Sequence, residues 1–229
     1  NNKGPAAARN CGIKHVKNEY IAFLDSDDHW SRKKIETQFK ALKENPDFFI
    51  SHTKEKWLRR GIHLNQKKIH VPRHGNIFDH CLQLCAVGMS TVMVKKALFD
   101  QVGLFDESLH CCEDYDFWLR VSSRFPFYLV ELPLTVKEGG REDQVSVKCR
   151  VGMDRLRIYA IKKIIDSETL DSRQHLLALD EVIRKCTLFG KGCLKHGRIE
   201  TGTHYLKLAE SYKDKLVEGP WEPPLPVDL

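Results

Sequence analysis

Hydrophobic positions fall into short continuous runs and helically spaced sets, and the two kinds alternate along the first two thirds of the chain. Gly4-Pro5 followed by Ala6-Ala7-Ala8 predicts a helix start, with proline in the first turn and strong helix formers after it. Residues 19–24, EYIAFL, are apolar on both faces from Tyr20 onward, the pattern of a strand covered on both sides as in a parallel sheet. Ser31 is placed to cap a helix over 32–43, with Ile35, Phe39 and Leu42 on one face and Pro46 beyond its end. Residues 47–53 read as a strand, and 58–74 as polar, basic, irregular chain or a hairpin. A short helix near 76–84, a strand at 89–94, a helix at 95–103 stopped by Gly103, a helix at 112–125 opened by acids and a strand at 127–137 complete this half.

From about Gly152 the pattern becomes helical throughout, over 153–165, 173–194 and 200–216, and ends in a Pro-rich tail. The expected architecture is therefore α/β over 1–150, a mixed sheet flanked by helices, with a C-terminal helical appendage over 151–229. The appendage helices are amphipathic, and core against surface is the simpler account of their faces; an acceptor, a membrane surface or a second subunit remains an open use for them.

Composition narrows the classes of function. The chain has 229 residues, 41% of them hydrophobic, enough for an ordinary core. No apolar run reaches the ~18–20 residues of a membrane-spanning helix, and no charged-then-apolar leader opens it. A cytoplasmic protein is the expectation. The net charge of +6 is dispersed without a basic block, so no nucleic-acid partner is expected, and an anionic substrate or membrane surface would be served equally well. Eight cysteines show no C-x-x-C pair, so reduced thiols are expected. Cys81 and Cys85 are four apart on a predicted helix, and His110-Cys111-Cys112 could meet a metal; buried free thiols are the commoner outcome.

The candidate chemistry is acidic. In IAFLDSDDHW, Asp25 and Asp27 alternate about Ser26 at the carboxyl end of a buried strand, where ligands bind in open α/β sheets. Two like charges aimed one way suit a divalent cation; Mg2+ is usually held by one or two carboxylates, with water and substrate phosphates completing its shell. Taken alone, the pair is accounted for better by the preference of Asp27 and Asp28 for the first turn of the next helix. A calcium loop is excluded because Trp30 stands where glycine is required, although Glu36 fits its last position. An aspartyl-nucleophile phosphatase is disfavoured by His29 and Trp30. A second cluster, CEDYDFWLR, sets Glu113 and Asp114 at a helix start, with Phe117, Trp118 and Val121 spaced to lock that helix into the core. An acid fixed there can accept a proton from a hydroxyl, help worth ~10²–10⁴ in rate.

Together, GPAAARNCGI, EYIAFLDSDDHW, GLFDESL and CEDYDFWLR resemble the family 2 glycosyltransferases of the GT-A fold, over residues 1 to about 146. The resemblance implies inverting transfer of a sugar from a nucleotide diphosphate donor to an acceptor hydroxyl, with Mg2+ or Mn2+, in cell-surface polysaccharide synthesis. It implies Asp27 as direct metal ligand, Asp25 on the metal or the donor ribose, and Arg9 on the nucleotide side. Asp114 resembles the catalytic base and Glu113 its acceptor-positioning neighbour; Arg141, Gln144 or Ser146 in GGREDQVS could face the diphosphate or the acceptor. Trp118 and Arg120 are assigned to packing and surface pairing. The expected acceptor is a saccharide or lipid-linked sugar, met in the cytoplasm or at the inner face of a membrane; the oligomeric state is left open.

In that family a strand-helix-strand unit holding the nucleobase precedes the matched motifs. This chain starts without Met, directly in NNKGPAAARNCG, so it is expected to be N-terminally truncated, with its first strands missing and ~100 residues or fewer upstream. Taken alone, such a chain would have an open donor pocket and doubtful activity. A nucleotidyltransferase of similar fold and a noncatalytic binding domain are the alternatives.

Overall fold

The computed structural model describes residues 2–141, 144, 147, 149 and 152–217. Two compact units divide the chain, Asn1–Val151 and Gly152–Leu229.

The first unit is a mixed sheet with helices packed on it. Helix α1 (Gly4–His15) leads to β1 (Tyr20–Ala22), β2 (His29–Trp30), α2 (Lys34–Glu44), β3 (Ile50–Arg59) and β4 (Ile62–Leu64). Then come α3 (Phe78–Gln83), β5 (Met93–Lys95), α4 (Leu98–Val102), α5 (Glu113–Ser122) and β6 (Phe127–Gly139). The strand order is β1-β5-β3-β6-β2, with β4 paired to β3. The long strands β3 and β6 run parallel from Ile50↔Phe127 to Arg59↔Gly139, with a register shift at Lys54, and the other pairings are antiparallel. The mixed sheet is as expected from the sequence, but the parallel pairing expected around residues 19–24 lies at β3 and β6 instead. β1 pairs antiparallel with β5, Tyr20 opposite Lys95 and Ala22 opposite Met93.

The expected strand at 19–24 is shortened at its carboxyl end. Leu24 is 48% exposed, Asp25 gives its N–H to Ser90 Oγ at 3.0 Å, and Asp28 N–H closes a turn on Asp25 O at 3.1 Å. Asp25 and Asp27 therefore belong to a turn and not to extended chain, so the alternation that was to aim them together does not operate. Residues 58–74 divide between the two expectations: a hairpin to Leu64, with Trp57 opposite Leu64, then irregular chain with one 3-10 turn at Lys68–His70. Arg60 and Gly61 form the hairpin tip at φ 53° and 74°, both in the left-handed region that two-residue hairpin loops use.

Helix α2 is rotated from its predicted face. Ile35 and Phe39 are each 44% exposed, while Lys34, Gln38, Ala41 and Leu42 are buried. Burying two polar residues is tolerable because they are bonded. Lys34 Nζ donates to Gln38 Oε1 at 2.6 Å, and Gln38 Nε2 donates to Ser51 O at 3.1 Å and Thr91 O at 3.0 Å. Ser31 does not cap the helix: its N–H goes to Leu134 O at 2.9 Å, extending the β2 ladder onto β6, and α2 begins at Lys34 without a side-chain cap. Cys85 lies past the end of α3 and does not share the helix with Cys81.

Helix α5 is seated as its spacing predicts. Phe117, Trp118, Leu119 and Val121 are buried. Phe117 stacks on Phe105 at 4.4 Å between ring centroids, and Trp118 meets Phe127 of β6 edge-on at 5.9 Å. Each such ring contributes about 1.5–3 kcal/mol of burial. Arg120 pairs with Asp116 at 2.9 Å and donates to Leu104 O at 2.9 Å, the packing role expected of it.

In the second unit α6 (Met153–Asp166), α7 (Ser172–Lys195) and α8 (Ile199–Val217) replace the three predicted helices to within a residue or two. Asp171 and Gln174 form a reciprocal capping box at the start of α7. At its end Gly197, at φ 74°, lets Arg198 N–H reach Cys193 O at 2.9 Å and Gly197 N–H reach Leu194 O at 3.0 Å. The Pro-rich tail, 218–229, and Ser146 lie outside the described residues.

Candidate active site

Two segments supply the acids and a third supplies an arginine between them. The turn after β1 carries Asp25, Asp27 and Asp28, the first turn of α5 carries Glu113 and Asp114, and α1 lays Arg9 between them. Arg9 Nη2 donates to Asp25 Oδ1 at 2.8 Å, and Nη1 donates to Glu113 Oε1. A planar guanidinium can span two carboxylates in this way, whereas an ammonium is a point charge. Burial alone would lower the Arg9 pKa, but Asp25 and Glu113, helped by Asp114, hold it above the ordinary value. The guanidinium also lies over the Phe105 ring, 5.6 Å from its centroid. Next to it Asn10, buried, clamps residue 105 by both backbone groups, Nδ2 to Phe105 O at 2.9 Å and Phe105 N–H to Oδ1 at 3.0 Å. The motifs ARN and GLFDESL are thus halves of one contact.

The acids differ in environment. Glu113 is buried, and burial with the adjacent Asp114 raises its pKa against the pull of Arg9. Asp114 Oδ1 accepts the Tyr115 N–H at 2.7 Å, and Oδ2 accepts the Cys85 thiol at 3.0 Å. Asp27 Oδ2 accepts from Gln144 Nε2 at 2.7 Å, and the same amide reaches Glu138 O at 2.9 Å. Asp28 is buried, which raises its pKa, and its Oδ1 accepts the Glu138 N–H at 3.2 Å. Lys137 of β6 is exposed; crowding by the chain would lower its pKa, but Glu55, Cys85, Asp28 and Asp114 outweigh that and raise it. Arg141 is exposed just beyond β6.

The structure thus joins Arg9, Asp25 and Glu113 by direct ion pairs and Asp27 to Gln144. Arg9 and Lys137 both feel Asp114. Sequence reading missed Lys137 and Ser90, and named Cys85 only as a thiol four residues from Cys81 and not as a partner of Asp114. Ser90 takes the Asp25 N–H on its hydroxyl and the Trp30 indole N–H on its carbonyl at 2.7 Å. No spacing signals these contacts, because each joins residues far apart in the chain.

The sequence model of the family described as "Glycosyltransferase like family 2" matches residues 1–138. This chain belongs to that family. An uncharacterised glycosyltransferase of Rickettsia felis is 42% identical over 125 residues, 54% of this chain and 20% of its own length. The E. coli UDP-Glc:alpha-D-GlcNAc-diphosphoundecaprenol beta-1,3-glucosyltransferase WfaP is 32% identical over 127 residues, 53% of this chain and 46% of its own length. The chain therefore spans half or less of these two curated relatives. Among solved structures, S. aureus TarS 1-349 in complex with UDP-GlcNAc superposes with a TM-score of 0.56 at 17% identity, over 94% of this chain and 73% of that one. The mannosyltransferase PcManGT of Pyrobaculum calidifontis, in complex with GDP-Man and Mn2+, superposes with a TM-score of 0.55 at 13% identity, over 95% of this chain and 59% of that one. The GT-A-like fold expected from the motifs is the one found.

Proposed function

We propose that this chain carries the catalytic centre of an inverting, divalent-cation-dependent glycosyltransferase that moves a sugar from a nucleotide diphosphate to an acceptor hydroxyl. The observation that carries the reading is Arg9, whose two ion pairs draw the acids after β1 and the acids opening α5 into one site. The donor set fits Mg2+ or Mn2+. Asp25 and Asp27 offer hard carboxylate oxygens, and Arg9 and Gln144 each engage one oxygen of a carboxylate that has two. When bound there, the cation neutralises charge on the departing diphosphate. The PcManGT complex with Mn2+ supports that cofactor.

On the acceptor side, Asp114 receives the hydroxyl proton as the acceptor oxygen bonds to the anomeric carbon. The bond from that carbon to the diphosphate oxygen breaks, and its electron pair leaves with the nucleotide diphosphate. The Tyr115 N–H and the Cys85 thiol hold one Asp114 oxygen each, fixing the direction from which a hydroxyl is met. Glu113, tied to Arg9, positions the acceptor beside the base, and Arg141 and Gln144 serve the donor side. By the analogy of WfaP, whose name gives UDP-Glc and a diphosphoundecaprenol-linked sugar, the acceptor is a saccharide on a lipid carrier, reached peripherally from the cytoplasmic side. Among the described residues no helix is long and apolar enough to cross a membrane.

Calorimetric titration of the whole protein with UDP, GDP and TDP, with and without Mn2+, tests the reading. The expected result is cation-dependent binding of one nucleotide diphosphate, weakened at least tenfold in Asp27→Ala. A preference for nucleoside triphosphates would point to nucleotidyl transfer instead, and no binding by any of the three would overturn the proposal.

A further inference from the structure

His110, Cys111 and Cys149 come together, with one imidazole nitrogen and two thiol sulfurs all within 4.8 Å of one another. His110 is exposed, Cys111 is 3% exposed and Cys149 is half-buried. The sequence offered His110-Cys111-Cys112 as the only local set. The fold instead supplies a third group, Cys149, from the segment after β6, while Cys112 sits at the N-cap of α5 at φ 63° and stays beside Cys111. Cys149 joins the adjacent pair His110-Cys111 from 38 positions away, which chain adjacency does not explain.

We propose that His110, Cys111 and Cys149 form a binding site for one Zn2+, separate from the carboxylate site. Two thiolates and an imidazole are a soft, borderline donor set that favours Zn2+ over Mg2+ or Mn2+, whereas Asp25 and Asp27 have the opposite preference. Tetrahedral zinc with Zn–S of about 2.3 Å and Zn–N of about 2.0–2.1 Å sets its donors about 3.5–3.8 Å apart. No pair of the three atoms needs to close by more than about 1 Å, which side-chain rotation supplies. Binding breaks two S–H bonds, forms two Zn–S bonds and one Zn–N bond, and sends two protons to solvent, with no change in oxidation state. The fourth position is left to water. Cys111 and Glu113 are two residues apart, and Gln144 precedes Cys149 on the segment after β6. The ion would therefore fasten the chain that holds Asp27 to the start of the helix that carries Asp114.

The test uses the whole protein, reduced and stripped of metal by a chelator, then titrated with Zn2+ against a chromophoric chelator. One Zn2+ per chain is expected, bound ~100-fold or more weakly in Cys111→Ser and Cys149→Ser and unchanged in Cys11→Ser and Asp27→Ala. Co2+ in place of zinc should show a thiolate-to-metal charge-transfer band, absent in both serine variants; carboxylates give no such band. Circular dichroism of the stripped variants separates loss of ligand from loss of fold. Three results would overturn the proposal: zinc uptake that persists in Cys149→Ser, a cobalt spectrum without thiolate character, or a Cys111–Cys149 disulfide in the isolated protein with no metal uptake after reduction. None of these outcomes bears on nucleotide binding, so this inference and the transfer reaction stand or fall separately.

Discussion

Single side chains carry the chemistry here through what holds them. Arg9 engages carboxylates from two distant segments with separate nitrogens, a geometry that lysine cannot reproduce. Asp114 is held at both oxygens, and the thiol on Oδ2 is removed from it by 29 positions in sequence. This sets the terms for Asp114→Asn. The amide keeps size and packing, and its oxygen still accepts the Tyr115 N–H, but it cannot take a proton from the acceptor. Sugar transfer should fall ~10²–10⁴-fold while affinity for the nucleotide diphosphate stays within about twofold. Steady-state rates and calorimetry on the same preparation decide it, and turnover at the wild-type level would remove Asp114 from the role of base.

At the scale of elements, the packing of α7 against α8 depends on two facing glycines. A Cβ on Gly202 would lie 2.7 Å from Leu194 Cγ and Cδ2 and 2.9 Å from Gly190 O. The leucine could rotate, but the carbonyl is backbone, so the helices would have to separate. Gly202→Ala should cost about 1–3 kcal/mol despite alanine's better helix propensity. A Cβ on Gly192, on α7, meets nothing within 4 Å, so Gly192→Ala should be neutral or stabilising by up to about 1 kcal/mol. Urea midpoints for the two variants, followed by circular dichroism, give the comparison, and equal shifts would refute close approach as the reason for Gly202. The element types were legible where periodicity was strong: α5 and the three helices after Gly152 follow from their spacing. The face of α2 was not legible, because Lys34 and Gln38 look like surface residues until Ser51 and Thr91, from other elements, supply their partners. The acids were legible as motifs, but their meeting through Arg9 was not. No local pattern says that a helix residue will reach two carboxylates at sequence distances of 16 and 104.

For the whole molecule, the buried titratable groups make stability depend on pH in a definite direction. Lys34 is fully buried, and burial lowers its pKa from 10.5 to about 7. Between those values the unfolded chain binds a proton that the folded chain does not, so stability rises with pH across the interval, by up to about 1.4 kcal/mol per pH unit. That contribution is complete only above 10.5, is lost as pH falls, and is gone below about 7. Burial lowers His52 from 6.5 to about 4, outweighing the Nε2–H bond to Arg73 O at 2.9 Å, which favours the charged ring. Its contribution is present above 6.5 and is lost as pH falls towards 4. Cys81 acts in the opposite sense. Its thiol, pushed from 9.0 up to about 12 by burial, stays protonated in the fold while the unfolded chain ionises, so stability falls with rising pH above about 9. The informative windows are therefore pH 4–6.5 for His52 and pH 7–8.5 for Lys34. Unfolding in urea, read by tryptophan fluorescence, should show stability climbing through both windows. Lys34→Met should flatten the upper window alone, because a thioether has no proton to gain. His52→Gln, whose amide can still donate to Arg73 O, should flatten the lower one alone. If each variant lowered stability by the same amount at every pH, the two side chains would be packing elements only, and other titrating groups would set the pH dependence.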